Sequence, residues 1–311
     1  MARNGEEVCK SALCACGRVA ASTQYGVTTA SGERSDDDLL AAARDGDRAA
    51  IDALVVRYQP VVYRFGLKMC GNVEDARDIL QDTLLAMARS LGGFRADASL
   101  STWLYTIARR FCMRKRRTSK FAPRGEESLD ALPADRRDGL AAPTRNPEQE
   151  LAGQELQDEL NAAIAALDPP QREVLVLRDV EGLSARDVAQ VLGLGVEAVK
   201  SRLHRARLAV RQRLAPVLGR AAEPGKEGPC RDVLTLFSRH LEGDIDPRTC
   251  ADMEAHVEAC PRCRDACESL KRALALCRNA PTPEVPDSVA RSVRDAIRAH
   301  LAHEETSPPE G

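Results

Sequence analysis

Apolar residues recur at three- and four-residue spacing along most of the chain, a period that predicts helices. The pattern starts at Leu39, Leu40 and Ala43 and continues through Ile51, Leu54, Val55, Tyr58, Val62 and Phe65. Ser35 and the run Asp36 to Asp38 supply a cap and an acidic first turn at its start. A second helix is predicted from Asn72 to about Ser90, with Val73, Ala76, Ile79, Leu80, Leu84 and Met87 on its apolar face and Gly92-Gly93 behind it. A third begins near Ser101 and carries Trp103, Leu104, Ile107, Ala108 and Phe111. Residues 119–150 then lose the period: Pro123, Pro133, Pro143 and Pro147 stand among charges, which marks a flexible linker.

Helical spacing returns over 151–218. Ser184 can cap a short helix, Ala185 to Val191, with Val188, Ala189 and Leu192 facing inward. Leu192-Gly193-Leu194 gives a tight turn, with Gly193 suited to a positive φ. A second helix is expected from about Val196 to Leu214. Its apolar set is Val199, Leu203, Ala206, Val210 and Leu214. Its polar set is Glu197, Lys200, Arg202, Arg205, Arg207, Arg211 and Arg213. A helix, a short glycine turn and a basic helix form the arrangement that lays a recognition helix in the DNA major groove. The alternative is a solvated basic helix in an ordinary bundle. A second linker, 219–229, contains Pro224, Gly225, Gly228 and Pro229. Residues 230–280 form a cysteine-rich segment. Over 281–311 an amphipathic stretch places Val289, Val293, Ile297 and Leu301 four residues apart. Residues 1–34 are polar and unpatterned and read as a disordered arm, or as a start placed too far upstream.

At 311 residues, the chain is long enough for two or three small units. Aromatics at 3% argue against a sandwich or barrel, so the fold class is all-α. The 45 basic and 47 acidic residues nearly cancel, but the bases are segregated. Arg109, Arg110, Arg114, Lys115, Arg116, Arg117 and Lys120 run without an acid, behind a helix bearing Trp103 and Tyr105. Basic side chains can track a nucleic-acid backbone while aromatics stack on unpaired bases. A core Trp with a solvated basic helix end is the plain alternative. Only seven of the 45 bases are lysine, and arginine is the better phosphate fork. No apolar run approaches the roughly 18 residues of a membrane span, and residues 1–30 lack a signal-peptide core. A cytoplasmic location is expected, where thiols stay reduced. The 11 cysteines are then metal ligands, redox sensors or buried fillers.

Six cysteines fall within 230–278. His256 and Cys260 are four apart and share a helical face, and Cys260 and Cys263 have the spacing of a zinc knuckle. A closed tetrahedral site needs a fourth ligand. Cys230 is the choice, with His240 and Cys250 as rivals. His256-x-Glu258 lies too close to Cys260, and Pro261 lies inside the Cys pair, so the zinc-deaminase signature does not apply. Cys250, Cys267 and Cys277 are surplus to one site. Thiolates favour zinc, copper and other soft metals, so metal sensing, redox sensing and a static zinc fold are all open for the tail. No P-loop, Gly-x-Ser-x-Gly or His-Glu-x2-His occurs, and no enzyme is expected.

Three runs carry a family resemblance: Glu74-Asp75-Ala76-Arg77-Asp78-Ile79-Leu80-Gln81-Asp82, Ser101-Thr102-Trp103-Leu104-Tyr105-Thr106-Ile107-Ala108-Arg109-Arg110, and Val199-Lys200-Ser201-Arg202-Leu203-His204-Arg205-Ala206-Arg207. Through them residues 35–118 and 151–218 resemble regions 2 and 4 of the extracytoplasmic-function sigma factors, group four of the sigma-70 family. The resemblance implies two small helical sigma domains joined by a flexible linker. It implies that Asp75, Asp78, Gln81 and Asp82 dock core RNA polymerase. The Phe94-to-Trp103 loop and Arg109, Arg110, Arg114, Arg116 and Arg117 would open and read the −10 element. Glu197, Lys200, Ser201, Arg202, Arg205 and Arg207 would read the −35 element. The tail is similar to the zinc module of anti-sigma factors, a small helical zinc-binding domain. Its surplus cysteines resemble a metal-responsive, CorE-like branch in which copper or another soft metal is the inducer. On this reading promoter-specific initiation is regulated in cis, without a separate anti-sigma factor. The alternative is a helix-turn-helix regulator that does not replace the housekeeping sigma factor.

Overall fold

The computed structural model describes residues 34–94, 98–121, 147–219 and 223–306. The expected N-terminal arm with Cys9, Cys14 and Cys16, and most of the 119–150 linker, lie outside them. The described residues are helical without a strand, in two compact units.

The first unit contains α1 (Asp36–Arg44), α2 (Arg48–Cys70), α3 (Val73–Ser90), α4 (Leu100–Phe121) and, from the far end of the chain, α12 (Asp287–Thr306). Ser35 closes a capping box: the Asp38 amide donates to its Oγ at 3.1 Å, and Asp38 takes the Ser35 amide in return. Gly46, at φ 90°, then breaks the apolar repeat into α1 and α2. Asn72 caps α3 by accepting the Asp75 amide at 2.7 Å. Helices α2 and α3 pack closely at Gly66, where an added Cβ would stand 3.1 Å from Ala76 Cα. Helix α4 completes the core through Leu104, Tyr105 and Ala108, with Phe65 and Tyr105 at 5.3 Å between ring centroids. Trp103 is half-buried, 4.9 Å from the Phe94 ring.

The amphipathic stretch near the C-terminus folds back as α12. It buries Val289, Val293 and Ile297 against α2 and α3. Polar contacts fix its register. Arg298 meets Asp52 at 2.7 Å, Gln59 donates to the Ala290 carbonyl at 3.3 Å, and Arg64 donates to Thr282 Oγ1 at 2.7 Å.

The second unit begins within α5 (Pro147–Ala165). It continues through α6 (Pro169–Leu175) and a π-helical turn (Val176–Val180) to α7 (Ala185–Leu192) and α8 (Val196–Leu218). Ser184 caps α7 by accepting the Asp187 amide at 3.1 Å, and Gly193 takes φ 65° in the turn. The apolar set Val199, Leu203, Ala206, Val210 and Leu214 is buried as the spacing predicts. The polar set is not uniformly outward. Arg207 and Arg211 are 3% and 5% exposed: Asp179 solvates Arg207 inside the fold, while Arg211 reaches the exposed carboxylate of Glu223 at 3.2 Å. The tail adds α9 (Pro229–Leu241), α10 (Pro247–Ala259) and α11 (Pro261–Arg278) to this unit. Val233, Phe237, Met253, Val257, Cys263, Cys267, Leu270 and Leu274 form its core, and Leu208 of α8 packs on it.

Candidate metal centre and nucleic-acid interface

Three helix ends bring Cys230, His256, Cys260 and Cys263 together. Pro229 opens α9, which puts Cys230 in its first turn. Asp246 caps α10, whose last turn carries His256. Cys260 joins α10 to α11, with its amide on the His256 carbonyl at 2.9 Å, and Cys263 sits in the first turn of α11. The four ligand atoms lie within 4.8 Å of one another. His256 Nε2 stands 3.4 Å from Cys230 Sγ and 3.2 Å from Cys263 Sγ. Zinc bond lengths at a tetrahedral angle put N and S about 3.6 Å apart, so this donor set fits a closed Cys3His site.

The rivals for the fourth place lie elsewhere. His240 Nδ1 and Cys250 Sγ are 3.4 Å apart as a separate pair. Gly225 backs the metal cluster so closely that an added Cβ would stand 3.0 Å from Cys230 Cβ. Burial pushes the Cys263 thiol up to about 12. The Cys263 backbone amide, donating to the Cys260 sulfur, pulls the Cys260 thiol down. Cys267 and Cys277 are fully buried along α11, and burial pushes Cys267 up to about 12. None of the described cysteines is in a disulfide.

The residues expected at the −35 element lie along α8, whose glycine turn aims its first turns outward. Glu197, Ser201 and Arg205 are exposed, while Lys200 and Arg202 are half-buried. Arg207 is different. It donates to both Asp179 oxygens at 2.7 and 2.8 Å, to Glu242 Oε1 at 2.6 Å and to the Ser238 carbonyl at 3.2 Å. Burial works against its charge, but the two carboxylates outweigh that and raise its pKa. The expectation that Arg207 reaches DNA is therefore corrected: its fork is consumed inside the unit. Arg178 joins the same group, 3.0 Å from Glu242. The sequence shows an acidic turn at Glu242, Asp244 and Asp246, but nothing local names its partners.

In the first unit Asp75, Asp78, Gln81 and Asp82 line the outward side of α3. Three of them are met by the basic end of α4: Arg114 pairs with Asp82 at 3.0 Å, and Lys115 with Asp78 at 2.5 Å and Asp75 at 3.3 Å. Asp78, hydrogen-bonded to its ammonium, raises the Lys115 pKa. Arg114 also lies over the Phe111 ring at 4.7 Å. Arg110 is exposed, and Arg109 and Arg116 are half-buried. The Arg117 side chain, and residues 95–97 of the loop before α4, lie outside the described residues. A groove between α3 and α12 is lined by Arg77, Asp78 and Gln81 on one side and Ser288, Val289 and Ser292 on the other.

Residues 54–121 match the family model for Sigma-70 region 2, residues 157–210 that for Sigma-70 region 4, and residues 230–264 that of a zinc-finger family. The ECF RNA polymerase sigma factor SigM of Mycobacterium tuberculosis is 38% identical over 187 residues, 60% of this chain and 86% of its own. The RNA polymerase sigma-H factor of Pseudomonas aeruginosa is 30% identical over 194 residues, 61% of this chain and 98% of its own. A solved structure of the sigma factor RpoE with the anti-sigma factor NepR, from Bartonella quintana, is 25% identical. It covers 55% of this chain and 97% of its own, with a TM-score of 0.40.

Proposed function

Because the chain belongs to the extracytoplasmic-function group of the sigma-70 family, we propose that it directs core RNA polymerase to promoters under restraint by its own metal-binding tail. The reading rests on one observation above the rest: α12 lies on the first unit beside Asp78 and Gln81, the side chains proposed to dock the polymerase. Helix α12 forms the far wall of that groove, so a polymerase surface that approaches Asp78 and Gln81 from that side would meet α12. Release of α12 is then the step that frees the chain for assembly. No helix among the described residues is long and apolar enough to cross a membrane. Its working place on this reading is the cytoplasm, where polymerase acts.

Each unit takes one promoter element. The Phe94–Trp103 ring pair and the Arg109, Arg110 and Arg116 side of α4 are proposed for the −10 element, where an opened strand offers bases to aromatic faces. Glu197, Lys200, Ser201, Arg202 and Arg205 on α8 are proposed for the −35 major groove. Two linked contacts raise the effective concentration of the second once the first is made. Zinc is the metal proposed for Cys230, His256, Cys260 and Cys263, where three thiolates and one imidazole close a structural site. Copper or another soft metal is the proposed inducer, for which the thiolates of Cys230, Cys260 and Cys263 would supply soft ligands.

A helix-turn-helix regulator that leaves the housekeeping sigma factor in place would not account for the match over residues 54–121. The expectation that the chain needs no separate anti-sigma factor gains no support from its relatives and is not carried forward. The test is transcription in vitro: the full chain and core RNA polymerase on pooled genomic DNA, with transcript starts mapped by sequencing. Starts that share two spaced elements and depend on the chain are expected. Their absence with and without bound metal refutes the reading.

A further inference from the structure

We infer that the acidic turn between α9 and α10 is a surrogate for DNA phosphate, seated on Lys200 and the adjoining edge of α8, and that it competes with duplex DNA for that edge. The inference rests on the reading of α8 as a DNA-binding helix. Lys200, His204 and Arg207 fall at i, i+4 and i+7, so they form one stripe along α8. Each has a partner from the tail. Lys200 Nζ meets Asp244 Oδ1 at 2.9 Å, His204 Nε2 lies 3.2 Å from Thr235 Oγ1, and Arg207 meets Glu242 Oε1 at 2.6 Å. Other α8 polar residues, Ser201 and Arg205, stay exposed. The tail therefore covers one edge of the helix and leaves the next open.

The turn is held rather than draped. Glu242 is 5% exposed and tied to both Arg207 and Arg178, which anchors the turn at its first residue. Gly243 at φ 67° reverses the chain, and the Asp244 amide donates to the Arg239 carbonyl at 3.0 Å. Arg239 Nη2 donates to the Asp244 carbonyl at 2.9 Å. Asp244 is thus presented to Lys200 by a fixed backbone. An ammonium that pairs with a phosphate releases a counterion, and one already paired with a carboxylate does not make that contact. A carboxylate at that place also repels the incoming phosphate. Glu197 meets Lys200 as well, at 3.2 Å, but its side chain is 80% exposed and free to swing with the helix surface.

The test measures binding of the full chain to a short mixed-sequence DNA duplex, by fluorescence anisotropy over a range of salt. Asp244→Asn should steepen the slope of log affinity against log salt by about 0.9. At 0.1 M salt that one added phosphate contact corresponds to binding about eightfold tighter. Lys200→Ala in the Asp244→Asn background should remove the gain, and unchanged bound metal would show the tail still folded. If Asp244→Asn binds like the parent while Lys200→Ala alone weakens the parent, the edge is open in the full chain and the inference is overturned. Arg205→Ala separates the two failures. If it weakens the duplex complex while Asp244→Asn changes nothing, only the surrogate fails. If it too changes nothing, α8 is not the DNA face, and both readings fall.

Discussion

Arg207 is the side chain whose removal should cost the second unit most. Its guanidinium bridges Asp179 and Glu242, and the three side chains are 3%, 8% and 5% exposed. Arg207→Met keeps most of the volume but leaves two buried carboxylates facing the space between them. Breaking a buried pair by removing one partner costs about 3–5 kcal/mol, because the remaining charge is desolvated without compensation. For a unit of this size that corresponds to a fall of about 10–20 °C in the transition that unfolds it. Arg178 still reaches Glu242 and offsets part of the loss for that carboxylate, so the lower half of the range is expected. Calorimetry of the full chain would resolve the transition of the second unit from that of the first. The combination of Arg207→Met, Asp179→Asn and Glu242→Gln removes the buried negative charge and should recover at least half of the loss. A drop for Arg207→Met of less than about 1 kcal/mol, the scale of a surface pair, would mean that Arg207 is not buried between these acids.

Other consequences follow from single contacts. Gly66→Ala should destabilise the first unit by about 1–3 kcal/mol in chemical denaturation, since its Cβ meets Ala76 backbone rather than a movable side-chain end. Metal affinity should fall by about tenfold per pH unit for each thiol proton displaced, and Cys263, raised to about 12, carries one at neutral pH. Competition titration with a chromophoric chelator at pH 6 and pH 8 checks the direction, which is stronger binding at the higher pH. Cys267 should resist alkylation until the second unit unfolds, because burial both hides it and keeps it protonated. Rapid labelling of Cys267 in the native chain, read by peptide mass, would contradict its place in the core.

Much of this was legible in the sequence because it is local. Ser35, Asn72 and Ser184 each start a helix by accepting an amide three residues on, and that spacing is visible in the sequence alone. Gly193 had a turn to make between two apolar repeats and takes the positive φ it alone tolerates cheaply. Among the metal candidates, three lie within eight residues, and helical periodicity already puts His256 and Cys260 on one face. Cys230 was a choice among rivals, since nothing local distinguishes it from His240 or Cys250. What the sequence could not convey were partners far along the chain. Arg207 belongs to a basic stripe by composition, yet Asp179 and Glu242, 28 and 35 residues away, draw it inward. Helix α12 shows an apolar stripe at four-residue spacing, but the period says only that a face is buried. It does not say that Arg298 answers Asp52 across 246 residues. The surplus thiols were open for the same reason: Cys267 and Cys277 look like ligands by residue type and are core fillers by position.

The restraint of the first unit by α12 is tested most directly by binding to core RNA polymerase. Val293 and Ile297, each 1% exposed, hold α12 to the first unit. Val293→Asp with Ile297→Asp should detach α12 while leaving α1 to α4 and the metal cluster intact. The double variant is predicted to bind core polymerase at least tenfold more tightly than the parent, the gain expected if α12, standing beside the docking face, obstructs it at a cost of about 1.4 kcal/mol or more. Equal affinity for the two chains, with the variant's first unit still folded, would contradict the account.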